Sequence, residues 1–279
     1  MIDDESFAAA VSKLKAAGLD DPKGEARKLY GLAFPRRYVD EPEISDGSAL
    51  ERFRGYIERR ANREPYAHIC GFRHFWKYVF AVTPDVLDPR PDTETLVELA
   101  LQYPFERVLD LGTGSGCIIV SLLTDRQEAH GVGTDVSEKA LEVARKNAGE
   151  VERVHGPDVT QRLTLIASDW FKNVEGRFDL IVSNPPYISA HEMAEVSPEV
   201  RNFEPHGALT DDGDGLTHYR TIAAGALEHL SDQGRILVEI GPTQARAVSA
   251  LFKEAGLENI TIHPDLDGRD RVVSARKTA

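Results

Sequence analysis

The sequence predicts an α/β protein: a mostly parallel sheet covered by helices, joined through a β-ribbon to a small N-terminal helical domain. Three observations carry that expectation. Apolar strand-like runs alternate with helical patterns from Arg107 onward. Before residue 62, Phe7, Val11 and Leu14, then Leu50, Phe53, Tyr56 and Ile57, recur at helical spacing. Between them, Trp76, Tyr78, Phe80 and Val82 fall on one period-two face rich in strand formers. A chain of 279 residues, 41% hydrophobic and 28% charged, has room for one large core and a small extra unit. The expected division is a helical bundle over 1–68, a ribbon over 69–88 and the sheet domain over 89–279.

In the helical part, breakers near Gly18 and Pro42 separate the helices. The ribbon is expected within 75–84. Strand runs follow at 108–111, 131–135, 163–166, 178–182 and 235–240, with two weaker ones at 260–262 and 271–273. Alternation of this kind argues for parallel strands with helical crossovers. Residues 188–215, polar and rich in Pro, Glu and Gly, exceed the roughly 2–6 residues usual for a connection in such folds, which marks a functional or mobile loop.

Composition excludes several classes. The formal charge of −13 disfavours a nucleic-acid binder, whose surface normally carries a basic footprint. Arg52, Arg54, Arg59, Arg60 and Arg63 could form a local patch, but a solvated helix face is the simpler expectation. No apolar run approaches the roughly 20 residues of a membrane span and the start lacks signal-peptide order, so a cytoplasmic protein is expected. Cys70 and Cys117 form no CxxC pair, and inert thiols are expected rather than a bridge. No metal site is expected: 211–215 resembles a calcium loop, but Ile222 stands where its twelfth-position Glu belongs.

Four motifs carry chemistry, each after a strand. Asp110-Leu111-Gly112-Thr113-Gly114-Ser115-Gly116 is a glycine-rich turn entering a helix, where free N–H groups meet a ligand. It lacks the third glycine of a dinucleotide fingerprint, since 117 is Cys, and the Lys-Ser/Thr of a P-loop, which points to another nucleoside. Asp135 ends the next strand, where a carboxylate accepts from two ribose hydroxyls, unless it caps the helix near Ser137. Asp169-Trp170-Phe171 places a carboxylate beside an aromatic plane, suited to an adenine. Asn184-Pro185-Pro186-Tyr187 is the most specific: two prolines remove two donors and leave carbonyls and the Asn184 amide oxygen as acceptors for a planar NH2 group. Such a nitrogen is a poor nucleophile because its lone pair is delocalised. Acceptors for both its hydrogens orient it and stabilise the positive charge that builds on it.

In this order the motifs resemble class I methyltransferases acting on planar nitrogens. Arg63-Glu64-Pro65, Gly71, the run 86–94, Glu204-Pro205, Ala208-Leu209, Asp214-Gly215-Leu216 and 270–273 are similar to the HemK/PrmC-type release factor glutamine methyltransferases. The resemblance implies a Rossmann-like seven-stranded sheet in which the glycine-loop strand and the Asn-Pro-Pro-Tyr strand are neighbours. It implies S-adenosylmethionine as cofactor, bound by Gly112, Thr113, Gly114, Ser115, Gly116, Asp135, Asp169, Trp170 and Asn184. It implies that Asn184, Pro185, Pro186 and Tyr187 hold a glutamine, with Asn184, Pro185 and Tyr187 catalytic and Thr93 and Glu94 nearby. The acceptor would be the glutamine of a Gly-Gly-Gln segment in peptide-chain release factors, docked by the helical domain of a monomer that binds neither membrane nor nucleic acid directly. Asp88, where the family has an apolar residue, and Trp76-Lys77, where it has Tyr-Gly, depart from the pattern.

Other readings of the same motifs are an adenine-N6 methyltransferase of nucleic acid, a glutamine methyltransferase of a ribosomal protein, and a non-catalytic binding module. The acidic charge opposes the first, the 90–94 run Arg-Pro-Asp-Thr-Glu the second, and the intact motifs the third.

Overall fold

The computed structural model describes residues 4–35, 46–156 and 158–278, with no side chain described at Asp46; the breaker expected at Pro42 lies outside them. Two compact units emerge: one of residues 1–71 with 197–203, and one of 72–196 with 204–279.

The first unit holds α1 (Asp4–Ala16), α2 (Pro22–Ala33), α3 (Asp46–Ala61) and the short α4 (Tyr66–Cys70). Helix α2 starts where Asp21 accepts a hydrogen bond from the Gly24 N–H and Pro22 presets the first turn. The apolar stripes meet around Leu14, Leu29 and Phe53, all fully buried. Helix α9 (Pro198–Phe203), from the long polar stretch, joins this unit. Its Glu199 accepts from Arg60 at 3.2 Å and from Arg63 at 2.7 Å, and Arg60 also donates to Glu25 at 2.7 Å. The expected solvated arginine face is therefore corrected at Arg60: only 9% exposed, it is fixed in an internal ion-pair network.

The second unit opens with the hairpin β1 (Phe72–Phe75) and β2 (Tyr78–Ala81). Trp76 does not share the strand face with Tyr78 and Phe80. It occupies the two-residue turn at φ 55°, where the family's Tyr-Gly would stand, and its indole N–H donates to Asp125 at 2.8 Å. Lys77 and the Tyr78 hydroxyl converge on the same carboxylate. The departure at Asp88 is likewise accommodated, because both its oxygens pair with the Arg73 guanidinium.

There follow α5 (Glu94–Leu101), β3 (Arg107–Leu111), α6 (Cys117–Asp125), β4 (His130–Asp135), α7 (Glu138–His155), α8 (Val159–Arg162) and β5 (Leu163–Ala167). The chain continues through β6 (Phe178–Ser183), α10 (Thr217–His229), β7 (Leu230–Glu239), α11 (Ala245–Glu254), β8 (Glu258–Pro264) and β9 (Asp270–Arg276). A 3₁₀ turn, Pro91–Thr93, leads directly into α5, with Thr93 at the N-cap position. The seven strands run in the order β5-β4-β3-β6-β7-β9-β8, parallel except for β9, which is antiparallel to both neighbours.

Alternate strand residues feed two cores. Val108, Leu180, Val182 and Leu237 face α5 and α6, while Leu109, Ile181, Ile236 and Val238 face α10 and α11. Strands β3 and β6 are paired neighbours, and the order reverses between them. Their carboxyl ends thus frame a switch-point crevice, the usual ligand position in open α/β sheets.

Candidate active site

The turn after β3 follows a backbone path that few side chains permit. Gly112 and Gly116 sit at φ 72° and 80°, and a Cβ on Gly116 would stand 3.1 Å from that of Ala144. Gly116 caps α6 while the Thr113 N–H bonds the Thr134 carbonyl at 2.8 Å, pinning the loop to the end of β4. Beneath it, buried Asp110 accepts from the Thr113 hydroxyl at 2.6 Å and leaves its other oxygen without a partner. Burial pushes this carboxyl up to about 7, and the charge of Asp135 adds to the shift while the Thr113 bond opposes it.

Asp135 divides its carboxylate: one oxygen accepts the Gly114 N–H and the other the Ser137 N–H, both at 2.9 Å. It does not cap α7, since that position belongs to Ser137, whose hydroxyl accepts from Ala140. Each Asp135 oxygen keeps further acceptor capacity, enough for two hydroxyls. Burial raises its pKa against the backbone bonds that favour the charged form. After β5, Ser168 holds a tight turn by donating to the Trp170 carbonyl at 2.8 Å and accepting from Asn173 at 3.0 Å. Trp170 is held at φ 52°, a strained value for a bulky residue, with its ring over Gly112 and 5.0 Å from His218. Phe171 turns away to stack on His229, so only the first two residues of that motif serve the crevice.

At the end of β6 the Asn184 side-chain N–H donates to the Thr93 hydroxyl at 3.2 Å, which leaves the amide oxygen as an uncommitted acceptor. Gln244 fixes the next turn by donating to the carbonyls of Tyr187 and Gly215 at 2.9 and 3.1 Å and accepting from Gly241 at 3.0 Å. Burial, then the neighbouring Glu239, push the Tyr187 phenol up to about 12. Glu239, fully buried at the end of β7, is itself pushed up to about 7 by burial.

A cavity of about 300 Å³, at the small end of ligand pockets, gathers these elements. Gly112, Thr113, Gly114, Ser115, Asp135, Asp169, Trp170, Asn184 and Pro186 line it, as does Thr93. Gly116, Pro185, Tyr187 and Glu94 do not; Glu94 instead accepts the Trp76 N–H at 2.9 Å and holds the hairpin turn. The lining includes residues that the sequence reading did not assign, among them Val86, Arg90, Ala140, Pro205 and His218. Arg90 is anchored by buried Glu204 at 2.7 Å, which ties the long 188–215 stretch to the cavity wall. Ile188 also pairs with Thr210, and Asp211 closes the far end by accepting from Gly213, Gly215 and Thr217. Although burial opposes it, those bonds hold Asp211 at about 2. The set fits a ribose-bearing ligand with a flat base: a carboxylate with spare lone pairs, a glycine turn without side chains, and an indole face.

Residues 85–203 match the Methyltransferase small domain family model, and residues 5–71 match the PrmC N-terminal domain. The release factor glutamine methyltransferase of Cereibacter sphaeroides is 50% identical over 279 residues, covering 99% of this chain and 98% of that protein. That of Rhodospirillum rubrum is 41% identical over 274 residues, covering 96% and 82%. A solved methyltransferase of Pyrococcus furiosus, 18% identical with a TM-score of 0.54 over 72% of this chain and 89% of that one, shares the fold.

Proposed function

Because this chain belongs to the release factor glutamine methyltransferase family, we propose that it methylates the side-chain amide nitrogen of the glutamine in the Gly-Gly-Gln segment of peptide-chain release factors. The methyl group is what S-adenosylmethionine supplies when bound, and S-adenosylhomocysteine is the product. Asp135 would accept the ribose hydroxyls, Trp170 and Asp169 would receive the base, and the 112–116 turn would admit the donor close to its backbone.

The observation that carries the reading is the orientation of Asn184. Asn184 lines the same cavity as Asp135 and the glycine turn, and with its N–H engaged by Thr93 its amide oxygen is the acceptor it has to offer there. Asn184 and the Pro185 carbonyl would accept the two amide hydrogens and hold the nitrogen lone pair toward the donor. The same acceptors stabilise the cationic nitrogen, whose acidity then lets a proton leave without a dedicated base. Pro186 and Tyr187 would pack on the flat amide.

The helical unit, with α9, would dock the release factor, and the protein would act as a monomer in the cytoplasm, where its substrate works. Among the described residues no helix is long and apolar enough to cross a membrane. The test is Asn184→Ala: turnover is lost while most donor binding, read by calorimetry, survives. Near-normal turnover would remove Asn184 from the mechanism.

A further inference from the structure

We propose that His218 is a donor-binding residue: from the first turn of α10 it closes the base end of the cavity and gives a ring nitrogen to the edge of the adenine. The inference rests on the reading that the cavity takes S-adenosylmethionine with its base against Trp170, and it adds a group that none of the four sequence motifs contains.

His218 lines the cavity together with Asp169 and Trp170. Its ring centroid lies 5.0 Å from that of Trp170 with the planes 44° apart, so the two rings meet as a corner rather than as a stacked pair. The ring is half-buried, yet among the described residues no protein group hydrogen-bonds either of its nitrogens. Other histidines of the chain do find partners: His206 on Asp212 at 2.8 Å, His229 on the Gly225 carbonyl at 2.9 Å and His263 on Ser274 at 2.8 Å.

The place of the ring is set by what flanks it. On one side the Thr217 N–H donates to Asp211 at 2.9 Å, and the same carboxylate accepts from Gly213 and Gly215. On the other, Tyr219 is fully buried and its hydroxyl donates to the Glu239 carbonyl at 2.8 Å. His218 is thus carried on a fixed turn of helix, and the end of α10 is built as firmly as the strand ends that hold the motifs.

A polar ring on a ligand cavity with no protein partner costs free energy unless the ligand supplies one. Ligand pockets are mostly apolar, with a few placed polar groups that fix orientation, and His218 has that character. Burial lowers its pKa, against the charges of Asp211 and Asp169, and the neutral imidazole carries one donor and one acceptor. An adenine edge carries both an amino group and ring nitrogens, so it offers a complement to either imidazole nitrogen. Packing against Trp170 alone would require only a ring, which gives the proposal its test.

Calorimetric titration with S-adenosylhomocysteine compares the intact protein with His218→Ala, His218→Phe, His218→Gln and Asp135→Ala, and kcat and KM are measured on a purified release factor. His218→Ala and His218→Phe should each weaken binding roughly 3- to 10-fold, the worth of one hydrogen bond. His218→Gln, which restores a side-chain hydrogen-bonding group, should recover most of that loss. In turnover the change should fall on the KM for the donor more than on kcat. Parental affinity in His218→Phe, a Gln variant no better than Phe, or a loss confined to kcat would overturn the role of His218, while a weakened Asp135→Ala kept the donor site itself. Unchanged affinity in Asp135→Ala as well would remove both.

Discussion

At the scale of single residues, the site is a set of acceptors whose directions are fixed by neighbours far away in sequence. Asp135 shows why position alone left two readings open: a strand-end Asp before a helix is also a common cap. Its bonds to Gly114 and Ser137 decide against capping, because Ser137 already occupies that position. Asp135→Ala should therefore weaken donor binding by roughly 1–3 kcal/mol, the range for bonds to a charged group. Calorimetric titration checks this, and an unchanged affinity would return Asp135 to a purely structural role. The motif residues were legible because each lies within a few positions of a strand end. Thr93 was legible only as a neighbour of the site, and Gln244 and Arg90 not as parts of it, since their partners Asn184, Tyr187 and Glu204 are tens of residues away.

At the scale of elements, strand ends and helix starts do the positioning, and the glycine turn is the tightest joint. Gly116 combines a left-handed backbone with a close approach to Ala144 on α7, so it locks α6 against its neighbour while delivering the loop to the cavity. Gly116→Ala should cost about 1–2 kcal/mol of stability from the backbone alone, plus the contact that the added methyl forces at 3.1 Å. Denaturant unfolding measures it, and a loss near zero would mean that the turn relaxes freely. The ribbon teaches a different lesson. Period-two spacing placed Trp76 on a strand face, but the hairpin turns at Trp76-Lys77, where Asp125 collects the indole, the ammonium and the Tyr78 hydroxyl. Alternation is blind to a turn whose residues lack Gly, Asn or Asp, and a side-chain anchor from α6 replaces that local signal.

At the scale of the molecule, strand periodicity made the mostly parallel sheet readable, while its switch point was implied by the family resemblance that the motifs carry. The seven strands pair as that reading requires, with β3 beside β6. The long polar stretch was less readable, because its anchors are non-local: Glu204 on Arg90, Thr210 on Ile188, and Glu199 on Arg60 and Arg63. Buried ion pairs of this kind are invisible to charge counting, which sees the arginines as a basic face. The central claim is that this assembly methylates a glutamine amide in release factors. The most direct test incubates a purified release factor with this protein, with and without S-adenosylmethionine, and maps the products by mass spectrometry. A donor-dependent gain of one methyl group, about 14 Da, on the Gly-Gly-Gln glutamine is the predicted result, the substrate assignment that a fold cannot supply. No gain on any release factor, with donor binding intact, would contradict it.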